Sequence, residues 1–147
     1  MLKTQLRGRF TLSNELYLDL VSHIPEALLA SKLVDLPSNT IGAQIWCVVG
    51  ARDSYLRAAV AGQWQGFACP LDGNEITDSN AVSESLSKTA SALNAYLSTD
   101  TELSEASFKF LLDLLEHEAQ HHGQLARYLY GLKVGVPASW KRRYNFD

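Results

Sequence analysis

The stretch ELSEASFKFLLDLLEHEAQHHGQLARYL, residues 102–129, has the apolar spacing of a long helix, and it decides the fold class. Its apolar residues return every three or four positions, which is the period of an α-helix with one buried face. Thr101 and Ser104 are candidate N-caps, and Gly131 supplies a stop signal at the other end. We therefore predict one helix over this range.

An earlier helix is predicted after two candidate N-caps, Thr11 and Ser13. Apolar residues at helical spacing continue from residue 16 to residue 28. Pro25 lies within this stripe and is expected to kink the helix, because proline removes a backbone donor and crowds the preceding turn.

Two more helices are predicted, over about residues 41–62 and from residues 79–80 to 97. Residues 63–79 between them are rich in Gly, Pro, Asn and Asp and are typical of a long loop. The tail after residue 134 is expected to be extended. In chain order, the three connections between the predicted helices are short, long and short. This pattern predicts an all-α four-helix bundle with a long crossover loop between helices 2 and 3. The 147 residues fit a single domain, 1–147.

Composition excludes several classes of protein. A formal charge of −3 argues against a nucleic-acid binder, which needs a positive surface facing phosphates. No run approaches the roughly 18 apolar residues of a membrane span, and residues 1–10 are too polar for a secretory signal. Two cysteines, Cys47 and Cys69, are too few for a disulfide framework. We expect a cytoplasmic protein with reduced thiols.

Three of the four histidines lie in one six-residue stretch of the last long helix, residues 117–122. His117 and His121 are four apart and share one face, with Gln124 one turn further along. Because buried imidazoles need partners, a divalent metal is one explanation of this polar patch. The alternative is that the histidines are exposed, or are core residues hydrogen-bonded to other side chains. His122 faces elsewhere and is interpreted as structural.

Two familiar metal architectures fit the spacing poorly. The string at 117–121 matches H-E-x-x-H of zinc proteases, but Arg127 stands where the extended motif needs a histidine. Asp147, the last residue, is the only remaining carboxylate or imidazole downstream of His122. A di-iron site needs a second Glu-x-x-His motif, and Leu20 stands three residues before His23.

A mononuclear site with a third ligand from another helix is the remaining arrangement. The second helix offers Cys47 and, about one turn earlier, Gln44. A buried cysteine is by default a small apolar residue. Opposite a histidine pair it becomes a candidate thiolate ligand, because zinc and related metals accept sulfur. Such a site leaves coordination positions open for water or substrate.

The stretches HEAQHHGQL (residues 117–125) and TIGAQIWC (residues 40–47) resemble the DinB/YfiT-like superfamily of bacterial proteins. The resemblance implies a four-helix bundle, often a homodimer, that holds a divalent metal between helices two and four. Its usual ligands are a histidine from the second helix and two histidines, four apart, from the last. His117 and His121 match the pair, whereas Cys47 stands where the second-helix histidine would be.

The resemblance also implies a function and a set of pocket residues. Better understood relatives transfer or isomerise compounds with low-molecular-weight thiols such as bacillithiol, mycothiol or glutathione, which a zinc, nickel or iron ion would hold as thiolate. Gln124 is a candidate for supporting the metal ligands or facing the substrate, and Arg52 and Tyr55 are candidate anion or hydrogen-bond contacts near the pocket. The alternative for Arg52 and Tyr55 is an ordinary surface or helix-packing role. The competing function is a non-catalytic stress or interaction protein with a vestigial metal site.

Overall fold

A computed structural model describes residues 1–146, and within this range the secondary structure is helical, with no β-strand. The all-α class is as predicted. None of the helices in residues 1–146 combines the length and the apolar character needed to cross a membrane. The elements, in chain order, are α1 (Leu2–His23), a 3₁₀ helix (Glu26–Ala30), α2 (Ile41–Ala61), α3 (Ser79–Leu97), α4 (Glu105–Gly131) and α5 (Ala138–Tyr144).

Local capping chemistry explains where α2 begins and ends and where α4 begins. The Thr40 hydroxyl accepts a hydrogen bond from the Ala43 amide at 3.1 Å, and Gly62 ends α2 in a left-handed conformation with φ of 72°. The Ser104 hydroxyl accepts from the Ser107 amide, so α4 begins three residues later than predicted. The predicted span of α2 is confirmed to within one residue.

The prediction that the first helix begins after Thr11 or Ser13 is wrong. Helix α1 begins at Leu2, because Leu6 and Phe10 extend its buried stripe toward the N-terminus, each with only 4% of its surface exposed. Ser13 lies buried in the middle of the helix, and its hydroxyl contacts another helix instead of capping this one.

Pro25 ends α1 and does not kink it. The residue before it, Ile24, is extended with ψ of 147°, since the proline ring disfavours helical backbone in the preceding residue. Pro25 then leads into the 3₁₀ helix. The helix predicted to continue past Pro25 is therefore two separate elements.

The prediction of an extended C-terminal tail is also wrong, because residues 138–144 form a helix. Pro137 precedes α5, and its fixed φ suits the start of a helix. Trp140 is fully buried, and its indole N–H donates to the Leu16 carbonyl at 2.7 Å. Burial of this one aromatic ring docks α5 on α1.

The long helices pack in two antiparallel pairs. Helix α2 packs mainly on α4, and α1 packs mainly on α3. Asn39, just before α2, contacts Tyr128 near the end of α4, whereas Ala59 near the end of α2 contacts Ser107 near the start of α4. Packing in pairs is what a bundle requires, but the four-helix bundle topology with a crossover stays a prediction.

The long loop runs back along one stripe of α2. Ala68 contacts Ser54, Phe67 and Cys69 contact Gly50, and the Leu71 carbonyl accepts from the Trp46 indole at 2.9 Å. A Cβ atom on Gly50 would overlap the Phe67 ring. The absence of a side chain at Gly50 therefore leaves the space that this loop occupies.

Candidate metal centre

Three side chains that the sequence singled out converge between α2 and α4. One ligand atom from each of Cys47, His117 and His121 lies within 4.8 Å of the other two. The Cys47 sulfur is 3.5 Å from His117 Nε2, and the centroids of the two imidazole rings are 4.6 Å apart. This group, called the ligand cluster below, could hold a metal ion.

A glutamine orients His121. Gln44 donates from its amide nitrogen to the Asn39 side-chain oxygen at 2.6 Å, which directs the Gln44 amide oxygen toward His121. That oxygen accepts a hydrogen bond from His121 Nδ1. Because Nδ1 carries the proton, Nε2 keeps the lone pair that a metal needs. A hydrogen bond of this kind is typical of metal-bound histidines.

The protein provides a contact for only one of the two ring nitrogens of His117. Its Nε2 faces the Cys47 sulfur, but its Nδ1 is buried and has no hydrogen-bond partner in residues 1–146. A buried polar atom without a partner is costly, so native structures rarely keep one without a reason. Of the two ring nitrogens, Nε2 is the one that lies beside the sulfur and could bind a metal together with it.

The protonation states of the two histidines in the ligand cluster favour the binding of a cation. Burial lowers the pKa of His117, and burial together with the neighbouring His117 lowers the pKa of His121 to about 4. Both rings are therefore neutral at pH 7, the state in which imidazole binds metals. Burial raises the pKa of the Cys47 thiol, so a metal would displace its proton on binding. Two imidazoles and one thiolate are a donor set that zinc accepts.

Glu118 does not take part in the ligand cluster. Its two oxygens accept from Arg52 Nε at 2.6 Å and Nη2 at 3.2 Å, and from the Ser13 hydroxyl. Glu118 follows His117 directly and so lies about 100° around the helix from it. The glutamate that activates water in a zinc protease is thus directed away from the imidazoles. Asp147, the other residue that the protease hypothesis required, lies outside the described residues.

Arg52 lies inside the helix packing. Only 1% of its surface is exposed, and Nη1 donates to the Asn14 side chain at 2.7 Å and to the Leu86 carbonyl at 3.1 Å. With its other contacts to Glu118, this guanidinium is committed to protein partners. The structure therefore places Arg52 in the helix-packing role that was its alternative at the sequence level.

The other two candidate contacts, Tyr55 and Gln124, lie nearer to solvent. The Tyr55 ring is half-buried, 6.5 Å from the His117 ring and 5.3 Å from the ring of Trp64, which is 48% exposed. Gln124 is exposed on α4, one turn beyond His121. Contact of either residue with a cofactor stays a prediction.

His122 belongs to a second polar group on a neighbouring face of α4. The Ser13 hydroxyl donates to Glu118, so it accepts from His122 Nε2 at 3.2 Å. His122 Nδ1 then accepts from the Tyr144 hydroxyl at 2.6 Å. Burial lowers the pKa of His122 to about 4, and the neutral ring satisfies every one of these bonds. The five residues of this group, called the buried network below, are Arg52, Glu118, Ser13, His122 and Tyr144.

Comparison with protein-family models and with curated proteins finds no match to this chain. The resemblance to the DinB/YfiT-like superfamily therefore rests on the two short stretches at residues 40–47 and 117–125.

Proposed function

We propose that this chain is a DinB/YfiT-like protein that binds a divalent metal and uses it in thiol-dependent group transfer. In this proposal α1 to α4 form the four-helix bundle, residues 62–78 are its crossover, and Cys47, His117 and His121 are the metal ligands. The observation that carries the proposal is the convergence of one ligand atom from each of these three residues within 4.8 Å.

The composition of the ligand cluster supports a catalytic site over a purely structural one. Three protein ligands leave at least one coordination position for an exogenous group, whereas structural zinc sites use four protein ligands. When bound, the metal supplies stabilisation of a cofactor thiol as thiolate at neutral pH. Zinc, nickel and iron all accept imidazole nitrogen, and the sulfur of Cys47 favours zinc among them.

The surrounding residues have separate tasks in this proposal. Gln44 keeps the Nε2 atom of His121 free of a proton. Cys47 and His117 are half-buried, so the ligand cluster is reachable from solvent on their side. There Tyr55 and the exposed Trp64 offer an apolar surface to the electrophilic substrate, while a thiol of the bacillithiol, mycothiol or glutathione type approaches the cluster.

The resemblance adds a homodimer to the proposal. Leu112 and Tyr130 on α4 support it, because both are apolar side chains with a large exposed fraction. A second copy that covers them would remove this surface from water. Size-exclusion chromatography with light scattering measures the mass of the chain in solution and tests this part separately.

Metal analysis of protein purified without a histidine tag tests the metal site. We expect one equivalent of metal in the unaltered protein and none in the double variant His117→Ala, His121→Ala. The matched control is His23→Ala, which removes an exposed histidine outside the ligand cluster. Absence of metal from the unaltered protein at every stage would contradict the site.

A second assay tests the reaction itself. The conjugation of an electrophile such as a chloronitrobenzene to several biological thiols is measured with unaltered protein and with the double variant. We expect the rate to fall to the uncatalysed level in the variant. A rate that the double variant leaves unchanged would contradict the transferase proposal and favour the non-catalytic protein with a vestigial site.

A further inference from the structure

We propose that the buried ion pair of Arg52 and Glu118 is the positioning element of the metal centre: it sets the register of α2 against α4, and so holds Cys47 opposite the two histidines. This inference rests on the proposed metal site. It assigns to Arg52 a role in which it touches neither the metal nor a substrate.

The pair has the geometry that fixes two helices relative to each other. Arg52 Nε and Nη2 reach the two different oxygens of Glu118, at 2.6 Å and 3.2 Å, and both side chains are 1% exposed. Two parallel bonds between planar groups define an orientation as well as a distance. A sliding or rotation of α4 against α2 would break at least one of them.

Its place in the sequence connects the pair to the ligands. Glu118 is the residue after His117, and Arg52 lies five residues after Cys47 on α2. A shift of one residue along a helix moves a side chain by about 1.5 Å. Metal–ligand distances tolerate only about 0.2 Å, so the ligand cluster depends on a register far tighter than apolar packing alone specifies.

A third helix holds Glu118 from the other side. On α1, the Ser13 hydroxyl donates to the carboxylate, and the Tyr17 hydroxyl donates to the Glu118 backbone carbonyl at 2.8 Å. Arg52 also binds Asn14 of α1 and the Leu86 carbonyl of α3. The ion pair is therefore fixed within the framework of all four long helices.

Other hydrogen bonds between α2 and α4 are less suited to this task. The hydrogen bond that His121 donates to Gln44 involves a ligand itself, so it cannot position that ligand independently. The Ser107 hydroxyl donates to the Ala59 carbonyl at 2.7 Å, but Ser107 lies ten residues before His117, about 15 Å along α4. That distant bond supplies a matched control.

The test compares Co²⁺ binding by three variants under conditions in which each is folded by circular dichroism. The double variant Arg52→Met, Glu118→Gln removes both charges and keeps an acceptor for Ser13. Arg52→Lys keeps the positive charge but cannot donate two parallel hydrogen bonds to the carboxylate of Glu118. We expect the dissociation constant for Co²⁺ to rise about 10- to 100-fold in the double variant and by a smaller factor in Arg52→Lys. The sulfur-to-cobalt charge-transfer absorption should weaken in both.

Ser107→Ala is the control for a variant that weakens the packing of α2 on α4 without affecting the metal ligands. It should lower the free energy of unfolding and leave both the Co²⁺ dissociation constant and the absorption band unchanged. Unchanged Co²⁺ affinity and absorption in the folded double variant would overturn the inference and leave the metal site standing. If the double variant does not fold, Arg52→Lys decides by the same criterion. An unaltered protein that binds no Co²⁺ would overturn the inference and the proposed function together.

Discussion

Two polar groups lie on neighbouring faces of α4, and they differ in how many of their polar atoms have hydrogen-bond partners. In the buried network, the carboxylate of Glu118, the hydroxyl of Ser13 and both nitrogens of His122 have partners. In the ligand cluster, one buried nitrogen of His117 has no hydrogen-bond partner in residues 1–146, and the other nitrogen contacts the Cys47 sulfur.

The difference separates two uses of histidine that look alike in the sequence. His121 and His122 are adjacent, both are buried, and burial lowers the pKa of each to about 4. One faces Cys47 and His117, and the other is enclosed by hydrogen bonds within the protein. The histidines of the two groups therefore differ in their partners: both ring nitrogens of His122 are hydrogen-bonded within the protein, whereas one nitrogen of His117 is not.

The largest expected contrast concerns stability without metal. In the presence of a chelator, Glu118→Leu should lower the free energy of unfolding by about 3–5 kcal/mol, because it leaves the Arg52 charge buried without a partner. His117→Leu should change it by less than about 1 kcal/mol, since it removes a nitrogen that has no partner. Urea unfolding measures both. Equal losses in the two variants would remove the distinction between the groups.

The pH dependence of stability should reveal the lowered histidine pKa values. The unfolded chain takes up protons near pH 6.5, whereas folded His121 and His122 do so only near pH 4. The contribution of these two histidines to stability is therefore fully present above pH 6.5, is lost as the pH falls toward 4, and changes no further below that value. For His122, the more buried of the two, the full loss is on the order of 3 kcal/mol.

The variant His122→Asn sharpens this test. In the presence of a chelator, its unfolding free energy should fall less between pH 7 and pH 5 than that of the unaltered protein, because one buried imidazole fewer resists protonation. The comparison uses urea unfolding at both pH values. The same pH dependence in both proteins would contradict the neutral, enclosed state of His122.

The smallest expected effect belongs to Tyr144→Phe. This change removes the hydroxyl that donates to His122 and should lower the free energy of unfolding by about 1 kcal/mol. Metal affinity should not change, because the buried network does not reach the ligand cluster through this bond. A variant that loses metal affinity while its stability is unchanged would show that the two groups are not separate.

The parts of this molecule that local patterns specify were predictable. The spacing of His117 and His121 identified a pair on one helix face, and helix packing then brought Cys47 within reach, as expected. The span of α2 was predicted to within one residue, and its caps, Thr40 and Gly62, act through neighbours in the chain.

Features that depend on distant partners were not predictable from local patterns. Ser13 resembles a helix cap, and only its contact with Glu118 on another helix shows that it lies mid-helix. Arg52 resembles a pocket cation until the buried carboxylate opposite it is known. Helix α5 has seven residues, too few for a clear apolar period, and its position depends on the burial of Trp140 against α1.

X-ray absorption of the zinc-loaded protein shows whether Cys47, His117 and His121 share one metal ion. We expect one sulfur at about 2.3 Å from the zinc and two imidazole nitrogens at about 2.0–2.1 Å, with the sulfur lost in Cys47→Ala. A zinc ion surrounded only by oxygen and nitrogen in the unaltered protein would contradict this shared site.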